Sequence, residues 1–470
     1  MSRRVGNFEF AFFSIFACIF FFIPGLSFGQ RPPVPPINLS YFRVDFLQAG
    51  ARSAALGGAF IGAAQDETAA PINPAGLTYL KSAGASLHQR VGNLDFEEPE
   101  GAVAAANRKT GFSSHIFDQN LAVVFFPIKR FTFALLRQVG FDNRFAFETQ
   151  QFLTTESLST TRQLLGGLGN FPGRKVDLNL RLVNDGISVA YRISKRLSLG
   201  VTGKISVLNL RLNEQTFLDP LIAGGGSPGE NRPENTYSIT TIDARVTDPS
   251  FSFGVMSKII LDKLFVGAVL NLNPSFALNS NIFLPEYKIG TQTFLPESAN
   301  PEFKFSVPNN YGFGLYYVPK SGIRFTFDVV RVQYSDLLGD NDLNIIADDE
   351  LNPETGMYED PDGRPDLTID DATEFHAGIE FLVRPRMSFV AKRFSLIPIR
   401  IGIHTNPGHR IYATGNNPDL KRLFPKAKDR VHFSFGTGFV LNSYLKFDGS
   451  ITISADSFEF IASTLIALPL

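Results

Sequence analysis

The chain has 470 residues, and its 44 Lys and Arg residues against 45 Asp and Glu residues give a formal net charge of −1. This balance excludes the long-range field with which a basic protein recruits nucleic acid or anionic lipid. A single stretch is long and apolar enough to span a membrane as a helix, which excludes a helix-rich membrane protein.

The long apolar stretch lies at residues 10–28 and follows two arginines. A basic start, an apolar centre and small residues at both cleavage positions predict a secretory signal peptide over residues 1–29, cleaved after Gly29. The cysteine of the chain, Cys18, lies in this stretch. The mature chain would then contain no thiol, disulfide or thiolate metal site. An uncleaved membrane anchor is the alternative.

The next distinctive stretch, residues 50–80, is crowded with Ala and Gly, which allow close backbone approach and tight turns. Asp66 is placed to cap a short helical turn. Asn73 and Pro74 offer a second helix start, with Asn at the cap and Pro at the first helical position. We expect a lead-in and a compact helical plug over residues 30–82. An ordinary glycine-rich loop has a similar composition.

Two short sequences in this stretch, GARSAALGGAF and DETAAPINPAGL, resemble the N-terminal hatch of the FadL/TodX family of outer-membrane transporters for hydrophobic compounds. Weaker similarities lie at 307–337 and 374–409. The NPA motif of the family is matched by Asn73, Pro74 and Ala75, and the other hatch residues singled out by the resemblance are Arg52, Gly57 and Gly58. The same small-residue opening occurs in related barrels that serve protein secretion.

From about residue 84 onward the dominant pattern is alternation of apolar and polar residues, as in 197–207, 303–317 and 445–453. Period two is typical of strands with one wet and one apolar face. In water such strands pair into sandwiches. In a bilayer they must close into a barrel, because open edges cannot be satisfied.

The connections between these strands are of two kinds. Short ones lie near residues 127–130, 194–196, 262–263, 319–322 and 442–443, with a slightly longer one at 384–398. Long polar ones lie at 93–119, 154–177, 213–238, 284–301, 337–372 and 405–429. Such segregation is typical of an outer-membrane barrel rather than a soluble sandwich.

Strands counted around the short turns, with one more at about 84–92 and one at about 457–469, number fourteen. The sequence therefore predicts an all-β membrane protein, a 14-stranded antiparallel transmembrane β-barrel over residues 83–470 with a small N-terminal helical plug. Fourteen is also the number that the FadL resemblance implies. Because it is even, both termini fall on the periplasmic side.

Alternation slips in two places. Around Val329 and Val330 the apolar residues move from odd to even positions, which predicts a β-bulge there.

In the third strand the alternation of apolar and polar residues breaks down around Gly140 and Asp142. The resemblance implies an inward kink in this strand that opens the wall sideways, and we place the kink near Gly140. A plain strand end that enters a loop is the alternative.

Signatures of enzymes and metal sites are poor. The G-x-S-x-G match at 225–229 lies in a loose loop, so the nucleophile-elbow geometry is not expected. The six histidines show no ligand spacing, and we predict no metal site and no cofactor.

The acidic loop 340–371 resembles part of a calcium loop, but Tyr358 stands at the required first ligand position. A solvated loop is expected there, with surface calcium as the alternative.

The polar phase of the strands is the remaining feature. It places inward a set of charged residues of both signs: Lys204, Arg324, Asp328, Glu380, Arg400, Lys446 and Asp448. We expect these residues to pair and to hold the plug, with a charged aqueous path as the alternative. The polar phase also carries His376, His404 and His432, which would face a hydrated lumen. Inward Ile461 and Leu465 predict an apolar lining.

The FadL/TodX resemblance implies passive uptake of long-chain fatty acids or other hydrophobic molecules by a monomeric outer-membrane protein of a Gram-negative bacterium. Its partners would be this substrate, outer-membrane lipid and lipopolysaccharide, with no nucleic acid. Residues 73–75 would form the pivot of the plug. Two alternatives remain: a structural or shuttle barrel of a protein secretion system, and a lumen-edge hydrolase with a Ser/His pair.

Overall fold

The structure is a computed structural model that describes residues 44–97, 111–149, 152–153, 170–171, 173–217, 231–289, 292–338, 350–351, 358–359, 367–384, 396–414, 425–441, 444–455 and 457–468. The predicted signal peptide, the G-x-S-x-G segment and the acidic positions of the calcium-like fragment lie outside the described residues.

Fourteen antiparallel strands form a closed ring. They are β1 (Ala83–Glu97), β2 (Gly111–Ile128), β3 (Phe131–Thr149), β4 (Gly173–Arg192), β5 (Leu197–Phe217), β6 (Thr236–Ile260), β7 (Leu264–Leu272), β8 (Asn310–Lys320), β9 (Ile323–Val332), β10 (Ala372–Val383), β11 (Ile397–Asn406), β12 (Arg430–Leu441), β13 (Leu445–Ile453) and β14 (Ser457–Leu468). The ring closes where β1 pairs with β14, from Ala83 opposite Leu468 to Leu94 opposite Ser457. The predicted 14-stranded barrel is confirmed.

Shorter elements accompany the barrel. The helices are α1 (Ala51–Ala55) and α2 (Ala69–Ile72), with 3-10 turns at Pro74–Tyr79, Pro233–Asn235 and Tyr334–Leu337. The short strands are Phe152–Leu153, Asn170–Phe171, Ser275–Asn279, Asn281–Leu284, Tyr287–Ile289, Gln292–Phe294, Glu297–Ala299, Glu302–Ser306, Glu350–Leu351, Tyr358–Glu359, Leu367–Thr368 and Tyr412–Ala413. Within the described ranges, no helix is both long enough and apolar enough to cross a membrane.

The short connections predicted from the sequence lie at one end of the barrel, which we call the turn end; the opposite end is the loop end. Three of the predicted short turns contain a residue with positive φ: Lys129 at 57°, Asp262 at 59° and Gly322 at 96°. Positive φ lets a tight hairpin follow the twist of its strands. These turns therefore hold neighbouring strands in register at the turn end.

Towards the loop end the strands are longer than the alternation predicted. β1 continues to Glu97 and β4 begins at Gly173, both within segments predicted as loops. Outward positions near the loop end carry charges, as in the exposed ion pair of Arg211 and Asp243. Strand pairing thus continues beyond the region in which outward side chains are apolar.

The polar and apolar faces of a strand exchange places along its length. In β5 the odd, outward positions are apolar up to Val207, and the even, inward positions are polar up to Ser206. Beyond these residues the inward positions become Leu208, Leu210 and Leu212, all of which are buried. Strands β4 and β6 change in the same way. This exchange is the pattern expected of strands that extend beyond a bilayer, in which apolar groups face lipid and beyond which they face the interior.

Strand β9 shows the same exchange at the place where a bulge was predicted. Val329 lies opposite Phe313 and Phe375, and Val330 lies opposite Gly312, with no shift in register. The predicted bulge at Val329-Val330 is therefore wrong. The phase of the strand does not slip; only the chemistry of its inward face changes, from Asp328 to the apolar Val330.

Residues 44–82, which we call the N-terminal segment, pack against inward-facing side chains on widely separated strands. Helix α1 contacts β11, β12, β13 and β14, whereas the Pro74–Tyr79 turn contacts β3, β4, β5 and β6. Small apolar residues of the segment, including Ala63, Ala64 and Ala70, are completely buried. The segment therefore links two groups of strands that lie far apart around the ring.

Candidate functional site

The NPA motif joins the N-terminal segment to the barrel wall. The Asn73 side chain caps the Pro74–Tyr79 turn, because its Oδ1 accepts a hydrogen bond from the Ala75 backbone N at 3.3 Å. Its Nδ2 donates to the carbonyl oxygens of Ile61 at 3.0 Å and of Val255 in β6 at 3.2 Å. One buried amide thus holds a turn, a neighbouring loop and the wall together.

A set of inward glycines lets the backbone of the N-terminal segment approach the backbone of the wall. They are Gly200, Gly254, Gly267, Gly314, Gly378, Gly402 and Gly436, on seven strands of the ring. A Cβ at Gly402 would collide with the backbone N of Gly57, and one at Gly200 with the backbone N of Ala75. Glycine at these two positions is therefore a requirement of contact between segment and wall.

Two further hatch glycines terminate α1. Gly57 and Gly58 have φ values of 66° and 78°, and their N–H groups donate to the carbonyls of Ala54 and Ser53 at 2.9 Å. Positive φ at the end of a helix is strongly disfavoured for residues with a Cβ. The pair therefore reverses the chain after α1 and brings Gly57 against the wall.

Arg52 in α1 connects the N-terminal segment to charged residues of the wall. Its Nη1 lies 3.1 Å from Asp66 Oδ2, and its Nε lies 3.2 Å from Glu380 Oε1 in β10. Glu380 also accepts from Arg324 at 2.6 Å and from Arg400 at 2.7 Å. Most of these groups are buried, and Glu380 is a shared ion-pair partner of cations from three elements.

The network continues along the wall. Arg400 Nη1 lies 2.7 Å from Asp448 Oδ1, and Lys446 Nζ lies 2.7 Å from Asp448 Oδ2. The predicted inward charges of β10, β11 and β13 are therefore paired with one another. Such closely spaced opposite charges hold their side chains in place and leave little free charge to attract a polar solute.

Two adjacent carboxyl groups of the N-terminal segment have different environments. Burial alone would raise the pKa of Asp66, but the Arg52 guanidinium lowers it below its ordinary value. Burial and the neighbouring Asp66 raise the pKa of Glu67 to about 7, although Lys446 opposes the shift. Glu67 Oε2 is buried, and no group among the described residues bonds to it. Glu67 is therefore the group of the segment that titrates near neutral pH.

Asp328 and His376 hold the loop that follows α1. Asp328 Oδ2 accepts from the backbone N of Phe60 at 2.5 Å and of Ile61 at 2.6 Å. His376 Nδ1 donates to the Gly57 carbonyl at 2.7 Å. Inward polar residues of β9 and β10 thus bind the backbone of the N-terminal segment directly.

The three histidines on the polar phase form a stack. The ring centroids of His376 and His404 are 5.3 Å apart, and those of His404 and His432 are 4.4 Å apart. His376 is buried. They lie on neighbouring strands β10, β11 and β12 and point inward, as predicted. Across the described residues, no group of His, Cys, Asp and Glu has an arrangement that would hold a metal ion.

The strand pairing of β3 changes near Gly140. β3 pairs with β2 from Phe131 up to Gln138, and beyond that point its described pairing is with β4 alone. The register against β4 shifts between Val139 and Phe141, so Gly140 is an extra residue in β3. Residues 111–119 of β2 likewise pair with β1 and not with β3. The ladder between β2 and β3 is therefore interrupted over its loop-end half.

The N-terminal segment and a group of charges line this interruption. The backbone N of Leu47 donates to the Gly140 carbonyl at 2.9 Å, and Asn120 Nδ2 donates to the Gln48 carbonyl at 2.5 Å. Asp142 is buried and accepts two bonds of 2.8 Å from Arg144. Arg181 of β4 pairs with Asp118 of β2. The interruption is therefore bridged by side chains and by the start of the segment.

The interior near the loop end is apolar. We call this cluster the outer apolar layer; its members include Val44, Phe141, Leu178, Leu180, Leu182, Leu208, Leu210, Leu212, Ile242, Phe276, Phe305, Val332 and Tyr334. Phe141 belongs to the bulged part of β3, so the layer reaches the interrupted ladder. Sequence alternation did not identify this layer, because in β5 it was followed only to residue 207, where the inward positions are still polar. The feature of the sequence that could have predicted the layer is the run of inward leucines in β5, Leu208, Leu210 and Leu212.

The apolar lining predicted at Ile461 and Leu465 has another role. Ile461 is buried against Ala51 and Ala54 of α1, and Leu465 packs against a cluster that includes Ala residues of the N-terminal segment. Both side chains point inward as predicted. They support the segment rather than line an open path.

Ser86, His88 and Glu67 are the described residues closest to a Ser/His/carboxylate group. The Ser86 hydroxyl lies 3.3 Å from His88 Nε2, and Glu67 Oε1 lies 3.7 Å from the same nitrogen. A hydrolytic triad needs the carboxylate on one ring nitrogen and the nucleophile on the other. This group therefore lacks the geometry of a triad.

Comparison with solved structures identifies the fold. The CymD monoaromatic hydrocarbon channel aligns with 91% of this chain and 100% of its own, with a TM-score of 0.53 and 15% identity. A Pseudomonas aeruginosa FadL homologue aligns with 90% and 100%, with a TM-score of 0.56 and 14% identity. The Pseudomonas putida toluene transporter TodX aligns with 90% and 99%, with a TM-score of 0.51 and 13% identity.

These similarities confirm the resemblance to FadL and TodX at the level of the fold. No protein-family model matches the sequence, and no curated protein does. The chain thus shares a barrel architecture with hydrophobic-compound channels while its sequence has diverged from theirs.

Proposed function

We propose that this chain is a FadL/TodX-type transporter in the outer membrane of a Gram-negative bacterium, where a monomer takes up long-chain fatty acids or other hydrophobic molecules passively. Residues 1–29 would be its signal peptide, residues 30–82 its lead-in and plug, and residues 83–470 its barrel, with both termini periplasmic. The loop end would then face the exterior, and outer-membrane lipid and lipopolysaccharide would surround the barrel.

The observation that carries the proposal is the outer apolar layer beside the interrupted ladder of β2 and β3. An apolar interior at the loop end offers a hydrophobic molecule a place to leave water, and burial stabilises it by about 0.8 kcal/mol per CH₂. Phe141 belongs both to this layer and to the bulged part of β3. A molecule in the layer is therefore next to the part of the wall where the strand ladder is missing.

The N-terminal segment would act as the plug of this path. Val44 and Phe46 pack in the outer apolar layer, and Leu47 binds the Gly140 carbonyl. A hydrophobic molecule that enters the layer would compete with Val44 and Phe46 for the same surface. Their displacement would free the interruption at Gly140, with Asn73 as the pivot that retains the rest of the segment.

Neither alternative function is favoured by an observation of this kind. A structural barrel of a secretion system has no need of an apolar interior next to an interrupted wall. The Ser86, His88 and Glu67 group lacks triad geometry. The solved structures similar to this chain include channels for monoaromatic hydrocarbons and toluene transporters.

Mass spectrometry of molecules extracted from the gently solubilised full-length protein tests the proposal. Hydrophobic molecules should be enriched over a matched preparation of an unrelated outer-membrane barrel. A general porin or a secretion barrel would carry no such enrichment. The same preparation in a planar bilayer should show no large steady conductance, because the N-terminal segment packs against the wall.

A further inference from the structure

An ion pair crosses the interruption between β2 and β3. Arg181 of β4 pairs with Asp118 of β2, although β3 lies between these two strands in the ring. Leu180 and Leu182 point inward and are buried, so Arg181 lies on the outward face of β4. Asp118 lies opposite the buried Arg90 of β1 and shares its inward face. The pair therefore joins the outer face of one strand to the inner face of another, through the gap in the wall.

An extra residue lies on each side of this gap. The register of β2 against β1 shifts at Asn120, which has no partner residue in β1. Gly140 has the same place in β3. Bulges of this kind bend a strand and change the direction of the neighbouring side chains. Asp118 comes just before Asn120, in a stretch of β2 that is free of β3 and is bonded to the N-terminal segment through the Gln48 carbonyl.

Arg90 has unused capacity for a carboxylate. Its Nη1 lies 3.4 Å from Glu459 Oε2, longer than the roughly 2.7–2.9 Å of a strong charged hydrogen bond. Its Nε and Nη2 are buried, and no group among the described residues accepts from them. Directly opposite residues of antiparallel strands have Cβ atoms about 4.5–5.5 Å apart. Rotation of the Asp118 side chain can therefore bring its carboxylate to the Arg90 guanidinium.

Arg181 also has a second partner in place. Asp142 lies opposite Arg181 in β3, and its Oδ2 is 3.9 Å from Arg181 Nε. Arg144 already binds the Asp142 carboxylate through two bonds of 2.8 Å, but a carboxylate has about four acceptor sites. If Asp118 turned from Arg181 to Arg90, each of these charges would still face an opposite charge.

We propose that Asp118 is the moving part of a latch in the barrel wall, which closes the interruption when it pairs with Arg181 and opens it when it pairs with Arg90. The change of partner avoids the unpaired buried charge that makes the breaking of an ion pair costly. The latch lies beside the outer apolar layer, because Phe141 is the neighbour of Asp142 in β3. This assignment rests on the proposed function and adds to it a closure of the wall that is separate from the N-terminal segment.

Neutral replacements of the two arginines test the latch, because they should act in opposite directions. The measurement is the initial rate of uptake of radiolabelled dodecanol, which has no charge for an arginine to bind, by cells that express the full-length chain. Arg181→Met removes the closed pair and should raise the rate roughly two- to tenfold. Arg90→Met removes the open pair and should lower it by a similar factor. Two ion pairs with a merely structural role would change the rate in one direction.

Hydrogen–deuterium exchange of the purified barrel follows the latch without transport. Residues 111–119 and 140–149 should exchange faster in Arg181→Met than in wild type, because they border the opened gap. Glu459→Gln removes the present partner of Arg90 and leaves Arg90 to Asp118. This variant keeps both arginines, and it should exchange faster in the same residues and take up dodecanol at least as fast as wild type. Exchange at the wild-type rate in both variants would overturn the latch.

Arg137→Met is the matched control. Arg137 and Asp185 form an exposed ion pair where β3 and β4 are paired, so its loss should change neither uptake nor exchange. Uptake that stays at the wild-type rate in both Arg181→Met and Arg90→Met, or that changes in the same direction in both, would overturn the latch and leave hydrophobic uptake standing. A wild-type rate equal to that of cells with the empty vector would contradict the proposed function itself.

Discussion

The guanidinium of Arg52 in the N-terminal segment makes two bonds to the Glu380 carboxylate of β10, at 3.2 Å through Nε and 3.4 Å through Nη2. Arg324 and Arg400 approach the same carboxylate, so it is the common partner of a cation of the segment and two cations of the wall. The position of the segment in the barrel therefore depends on a negative charge at residue 380.

Glu380→Gln should loosen the N-terminal segment, because it leaves three cations without a common counter-charge. Removal of one partner of a buried ion pair costs about 3–5 kcal/mol. Protease cleavage within residues 44–82 of the folded barrel should accelerate, and planar-bilayer recordings should show more frequent openings. Asp243→Asn is the matched control, because Asp243 and Arg211 form an exposed pair worth about 0–1 kcal/mol. Equal behaviour of the two variants would show that the network does not hold the segment.

Asn73→Asp separates two roles of the NPA asparagine. Aspartate keeps the oxygen that caps Ala75 and loses the N–H donors to the Ile61 and Val255 carbonyls. We expect Asn73→Asp to impair uptake as severely as Asn73→Ala does, because it places a carboxylate against two carbonyl oxygens. Uptake of a labelled hydrophobic substrate by cells measures this. Wild-type uptake in the aspartate variant would mean that helix capping alone matters.

Gly402→Ala should displace the N-terminal segment from the wall, because its Cβ would collide with the backbone N of Gly57. The expected results are a lower melting temperature in detergent and faster proteolysis of residues 44–82. Gly203→Ala in β5 is the control, since a Cβ there lies 3.8 Å from its nearest neighbour, a Phe251 carbon. If both variants melt like wild type, close backbone contact at Gly402 does not contribute to stability.

Glu67 should make the stability of the barrel decrease as pH rises. Burial and Asp66 raise its pKa in the folded protein to about 7 from an ordinary value of 4.5. Between these two values the folded state binds more protons than the unfolded state, so the free energy of unfolding falls with rising pH and levels off above about pH 7. Glu67→Gln should flatten the melting temperature between about pH 5 and pH 8. Identical pH profiles for wild type and variant would contradict this titration.

Deletion of Gly140 should repair the interrupted wall. Gly140 is the extra residue at the register shift of β3 against β4, and the ladder of β3 with β2 ends two residues before it, at Gln138. An extra residue bends its strand, so its removal should let β3 pair with β2 further towards the loop end. We expect a barrel that folds normally, as judged by its heat-modifiable migration on gels, and takes up hydrophobic substrate more slowly. Undiminished uptake in a folded variant would place the exit elsewhere than between β2 and β3.

Much of the fold follows from period two and from the spacing of turns, because a closed barrel in lipid allows few other arrangements. The alternation failed towards the loop end of the strands. There, Val330 and Leu208 keep their inward direction while the chemistry of the inward face changes from polar to apolar. A change of phase in the sequence therefore indicated a change of surroundings at Val329-Val330 and not an extra residue.

The site was predicted less completely, because pairing depends on partners far apart in the chain. The sequence placed Arg400 and Asp448 on inward phases, yet only the ring brings β11 and β13 close enough for them to bond. Lys204 was expected to pair like the other inward charges. Its lack of a carboxylate partner became visible only when the side chains of β4, β5 and β6 were seen together.

The central claim is that this barrel carries hydrophobic molecules inward past its N-terminal segment. The most direct measurement is the initial rate of uptake of radiolabelled dodecanoate by Gram-negative cells that lack their own outer-membrane transporter for hydrophobic compounds and express this chain. We predict a saturable rate well above that of cells with the empty vector, reduced in Asn73→Asp. A rate equal to the empty-vector rate, with the protein folded in the outer membrane, would contradict the account.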